Sequence, residues 1–168
     1  MRNLIVLSLS AALLAGCGSN SSSEMEAGKW EMTMTIDSFE VPEAPEEMQG
    51  MMAAMAGQSQ TQETCVTEEQ AAKGWAGNRE QLVADAQGCE ADEFTAEDGT
   101  ITARLTCEGD TPGANMTMAM DGTYTPGTVD MTVQSNITDE QLPGGEGTMR
   151  MTLSGKRVGE CDADTANS

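Results

Sequence analysis

The chain contains no histidine in its 168 residues. That removes the commonest general base and the commonest metal-binding side chain, and with them any Ser-His or Cys-His pairing for nucleophilic catalysis. Aromatic residues are nearly as scarce, only Trp30, Phe39, Trp75, Phe94 and Tyr124. They are too few for the ring platforms that hold sugars in most two-carboxylate hydrolases, which leaves a hydrolase as the least favoured reading among 28 abundant acids. Basic residues number 8, for a formal charge of −20. Such a charge repels nucleic acid and anionic headgroups, so neither is an expected partner; its ordinary consequence is solubility. No Gly-rich phosphate loop opens a helix, and no calcium-loop spacing of acids occurs.

Long apolar runs are also missing. The longest, Leu4 to Leu14, follows Arg2 and Asn3 and precedes the small residues Ala15 and Gly16. It is well short of the roughly 20 residues that span a bilayer and reads as a secretory signal peptide, residues 1–16. Leu14-Ala15-Gly16-Cys17 resembles the lipobox of bacterial lipoproteins, which implies cleavage before Cys17, acylation of that cysteine, and a membrane partner through the lipid. Gly18, where an aspartate would favour the inner membrane, implies sorting to the outer membrane. Residues 17–27 then form the lipidated cysteine and a polar tether, 28–161 a single domain, and 162–168 a frayed tail.

What the chain has in plenty is methionine, fourteen residues, eight of them in alternating segments. Met32 and Met34 alternate with Thr33 and Thr35. Met116, Met118 and Met120, then Met131, and finally Met149 and Met151 repeat the pattern. A period of two is that of a half-buried strand, so the four segments offer methionines to one interior and threonines to the other face. The expected fold is mainly β: a single antiparallel curved sheet or half-barrel with one to three short helices and two disulfides.

Four cysteines remain besides Cys17, an even number that reads as two disulfides in an exported chain. Four allow three pairings. The turn signal at Glu97-Asp98-Gly99-Thr100 favours Cys89 with Cys107, and elimination then pairs Cys65 with Cys161. A three-residue turn sets Cys89 opposite Cys107, whereas a two-residue Asp98-Gly99 turn aligns Phe94 with the Ile101, Ala103 and Leu105 face. Both hold only with a bulge between Cys89 and Phe94.

The first strand runs from Gly28 to about Phe39 and ends at Pro42 and Pro45. Met48, Met51, Met52 and Met55 fall at i, i+3, i+4 and i+7, one stripe of a short helix begun by Pro45-Glu46-Glu47 and closed by Gly57. A strand from Gln58 to Val66 follows. Thr67-Glu68-Glu69-Gln70 matches a capping box for a helix to about Lys73, and Asn78 to Gln81 offers a further cap. From Cys89 on the pattern is a meander: 89–95, 100–107, 114–124, 128–136 and 147–158.

Three motifs in order resemble those of the domain-of-unknown-function family 3617: Gly28-Lys29-Trp30-Glu31-Met32-Thr33, Thr64-Cys65-Val66-Thr67-Glu68-Glu69, and Gly155-Lys156-Arg157-Val158-Gly159-Glu160-Cys161. The resemblance implies an exported, mostly β protein with no established activity, so no catalytic residue carries over.

The function expected is non-enzymatic and without cofactor. The eight strand methionines either fill a core with flexible thioethers or line a cavity for an apolar ligand or an envelope protein, with the Met48 to Met55 stripe closing its mouth. An alternative for the stripe itself is soft-metal chemistry, Cu(I) bound or buffered by Met48, Met51, Met52 and Met55.

Overall fold

Alternation extended over thirteen residues makes Gly28–Glu40 the first strand, β1. In the computed structural model, residues 25–77, 79, 88–109 and 111–162 are described. The expected signal peptide, Cys17, most of the cap at 78–81 and residues 163–168 lie outside them. After β1 come α1 (Glu46–Met55), β2 (Ser59–Val66), α2 (Glu68–Gly77), β3 (Cys89–Glu97), β4 (Thr100–Glu108), β5 (Asn115–Thr125), β6 (Thr128–Thr138) and β7 (Glu146–Gly159). All strands join one antiparallel sheet in the order β2-β1-β7-β6-β5-β4-β3. β3 to β7 form the expected meander, and β1 closes on β7. The sheet curls without closing, so β2 and β3 remain edges.

Both edges are protected, β2 by its polarity and each edge by a disulfide. β2 is polar and exposed over Ser59 to Thr64, which makes it a poor template for another strand. Each edge is also stapled: Cys65 of β2 bonds Cys161 just beyond β7, and Cys89 of β3 bonds Cys107 of β4. These are the expected pairings.

The β3–β4 hairpin resolves the conflict between turn and register. Glu97 pairs with Thr100 across Asp98-Gly99, both residues at positive φ (49° and 77°), as a two-residue primed turn requires. Phe94 faces Ala103 while Cys89 still faces Cys107, because the register shifts between Ala91 and Glu93. Asp92 is the extra residue, and its carboxylate accepts a hydrogen bond from Thr106 Oγ1 (2.7 Å).

The capping box also forms. Thr67 Oγ1 accepts from Gln70 N (3.2 Å), and Gln70 Oε1 accepts from Thr67 N (2.8 Å). Beyond the expected end at Lys73, Gly74 turns to φ 62° and ψ −172°, which breaks the helical path and swings Trp75 toward the sheet.

Two boundaries shift. Residues 25–27, assigned to the tether, are packed: Glu26 N donates to Pro126 O (2.8 Å), Ala27 O accepts from Arg157 Nε (2.6 Å), and Met25 lies against the core. Asp162, placed in the tail, pairs with Lys29 Nζ at 2.5 Å. No helix among the described residues is long and apolar enough to cross a membrane.

Candidate functional site

The register puts all eight strand methionines on one face. Leu153 stands opposite both Met34 and Met131, and Met131 opposite Gly122. The next row runs Ile36, Met151, Val133, Met120, Ala103 and Phe94. Below it lie Met149, Ser135, Met118 and Leu105, then Ile137, Met116 and Cys107. Met32 falls in the row of Gly155, Val129 and Tyr124. The opposite face carries the hydroxyls, where Thr33 and Thr61 (2.9 Å) and Thr35 and Ser59 (2.8 Å) hydrogen-bond across β1 and β2.

Sharing a face does not give these methionines the same depth. The packed part of the face centres on β4 to β6: Ala103, Leu105, Val129 and Val133 are buried, and Met120 with them. Met32 and Met131 are packed by another device, each filling the space above a cross-strand glycine. A β-carbon at Gly155 meets Met32 Sδ at 2.5 Å, and one at Gly122 meets Met131 Cγ at 2.5 Å. Toward β1 and β7 the face opens. Met149, Met151 and Leu153 are half-buried, as are Met116 and Met118 on β5, and Met34 is 43% exposed.

Two hydroxyls on this face are buried without a hydrogen-bond partner, Ser135 Oγ and Tyr124 Oη. Ser135 is fully buried between Met149 and Met118 in its row. An orphaned buried hydroxyl costs about 1–3 kcal/mol, so each is an unfavourable point within the packing of this face. Sequence reasoning missed both, although the inward parity of Met131, Val133, Ser135 and Ile137 marks the serine.

It also missed the aromatic closure at one end. Trp75 meets Trp30 edge-on, centroids 5.8 Å apart, and Tyr124 at 5.6 Å. Trp30 Nε1 donates to Glu26 O (2.9 Å). Three of the five aromatics therefore seal the end of the half-barrel where β1 begins. The sequence signal was Gly74 directly before Trp75.

At the other end stands α1, with its methionine stripe divided. Met52 is buried against Val41 and Ala44, with Met48 half-buried beside it. Met51, ~100° around the helix from Met52, is 60% exposed, and Met55 is exposed as well. The stripe is thus not one lid over the methionine face. Among the described residues no cluster of three or more Cys, Asp or Glu stands close enough to hold a metal ion.

Fold and face together define an open half-barrel of antiparallel strands, stapled at both edges, with one methionine-rich face closed at one end by tryptophan. The chain belongs to the DUF3617 family, proteins of unknown function, whose sequence model matches residues 25–161. That match begins at Met25, which packs against the core. No curated protein and no solved structure matches the chain.

Proposed function

We propose that the protein is a lipid-anchored component of the cell envelope that binds an apolar ligand or partner segment on its concave methionine face and catalyses no reaction. The observation that supports this reading is the partial exposure of that face: Met34 is exposed and Met116, Met118, Met149, Met151 and Leu153 are half-buried beside the packed Ala103, Leu105, Met120, Val129 and Val133. Thioethers adapt to the shape of a chain-like apolar ligand better than branched side chains do, and a few polar atoms among them fix its orientation. Cys17 would carry the acyl anchor, with the outer membrane as destination, eight residues before Met25, which packs against the core.

Mass spectrometry of the protein released natively from its membrane tests the reading. Retention of an acyl-chain adduct beyond the covalent lipid supports it. A single unliganded mass, together with no binding of a fluorescent fatty-acyl probe, overturns it.

One observation favours a second reading. Met51 and Met55, one turn apart on α1, both face outward, an arrangement suited to a soft ion such as Cu(I) with Met48 and Met52 behind them. Competition titration with Cu(I) decides it: replacing all four with leucine abolishes binding if the stripe is the site, and unchanged affinity removes the idea.

A further inference from the structure

β1 is longer than the strand beside it. β2 pairs with β1 only as far as Ser59 opposite Thr35, and the last backbone bonds on that side are Ile36 N to Gln58 O (3.0 Å) and Gly57 N to Ile36 O (2.7 Å). On its other side β1 continues against β7, with Ser38 opposite Arg150, Phe39 opposite Met149 and Glu40 opposite Thr148. A bulge at Asp37, held by Thr152 Oγ1 donating to Asp37 Oδ2 (2.7 Å), separates the two stretches and bends the strand. From Ser38 on, no strand lies along that edge among the described residues.

A helix lies there instead. α1 packs on β1 and leaves a groove of about 480 Å³. One wall is the consecutive run Ser38 to Pro42; the other is Gln49, Met52, Ala53 and Ala56, at i, i+3, i+4 and i+7. An open strand edge facing a helix with small side chains is the geometry in which an extended peptide adds to a sheet, its backbone bonding the edge while alternate side chains enter the groove.

Charge selects the occupant. Glu40 lines the groove, and the exposed Glu43, Glu46 and Glu47 follow it in sequence up to the first turn of α1. None of the four takes part in an ion pair among the described residues. A second copy of a chain carrying −20 meets like charge here. We infer that the groove between the free edge of β1 and α1 is a docking site for an extended, lysine- or arginine-bearing peptide segment of another protein, added as a strand beside Ser38–Glu40.

The groove borders the methionine face where Phe39 stands opposite Met149, but it is read out by backbone pairing and charge, so the two proposals fail separately. The test is an amide-NMR titration of the full chain with a blocked hexapeptide of alternating alanine and valine flanked by two lysines. Saturable shifts at Ser38 to Val41 and along α1 are expected. Binding should weaken at least tenfold when the lysines are replaced by glutamates, and be lost when alternate backbone amides of the peptide are N-methylated. Ala53→Trp, which fills the groove from an exposed helix position, should abolish these shifts, while Ala54→Trp next to it leaves them. Equal binding of the glutamate or N-methylated peptide, shifts confined to residues outside the groove, no shift at millimolar peptide, or self-association through this edge would each overturn the proposal.

Discussion

Met32 lies where a side chain at Gly155 would have to be: a β-carbon built on Gly155 falls 2.5 Å from Met32 Sδ and 2.7 Å from Val129 Cγ1. The two residues are cross-strand partners on β1 and β7. The glycine makes the gap and the thioether fills it, so the sheet bends closely over Val129, which is completely buried. Gly155→Ala is therefore expected to destabilise the fold by about 1–3 kcal/mol through overpacking. Pairing it with Met32→Ala should recover part of that loss, as urea unfolding of the double-mutant cycle measures. Additive losses would show that the contact is not the cause.

Because the disulfides close loops of very different length, their removal should differ in cost. Cys65 and Cys161 are 96 residues apart, and Cys89 and Cys107 are 18 apart. On loop entropy, replacing the first pair by serine costs about 4–5 kcal/mol and the second about 3 kcal/mol. Chemical denaturation of the two variants gives the order. The first variant should also free β2, seen as faster amide exchange over Ser59 to Val66.

Thr67 starts the helix that delivers Trp75 to Trp30 and Tyr124. Thr67→Ala removes one half of the capping box and should cost about 1 kcal/mol. A red-shifted tryptophan emission before global unfolding is expected, since α2 then leaves the aromatic cluster first. Thr67→Ser should restore the wild-type trace.

Lys29 holds its proton more tightly than an ordinary lysine. The cause is first its hydrogen bond with Asp162, opposed by partial desolvation and aided by the charges of Asp162 and Glu63. A raised pKa favours the folded state below the ordinary value of 10.5 and loses that effect as pH rises past it. Asp162→Asn should return the Lys29 pKa toward 10.5, measured by NMR of the Nζ-linked carbons. The stability difference between wild type and variant should be present at neutral pH and fade above 10.5.

How much of this was legible depended on what alternation encodes. Parity alone placed Met32, Met34, Met116, Met118, Met120, Met131, Met149 and Met151 on one face, because register in an antiparallel meander follows from its turns. The Asp92 bulge was legible for a sharper reason: Cys89 opposite Cys107 and Phe94 opposite Ala103 are incompatible with any unbulged hairpin. Depth was not legible. Whether a methionine is packed depends on the residue across the strand, as Gly155 does for Met32 and Gly122 for Met131, and on how far the sheet curls. Nor was the Asp37 bulge, since nothing in β1 conflicts with a straight strand, nor the inward swing of Trp75 set by the backbone of Gly74. The helical spacing of Met48, Met51, Met52 and Met55 predicts one face. The axis of α1 turns only Met48 and Met52 toward Val41.

The concave face is the centre of the account, and methionine methyl groups report on it directly. In a spectrum of the protein with ¹³C-labelled methionine methyls, titration with a fatty-acyl ligand should shift Met34, Met116, Met118, Met149 and Met151. The deeply packed Met120 should move less, and Met51 and Met55 should stay in place. If no methyl on that face moves at saturating ligand, or if only Met51 and Met55 respond, the face is not a binding site.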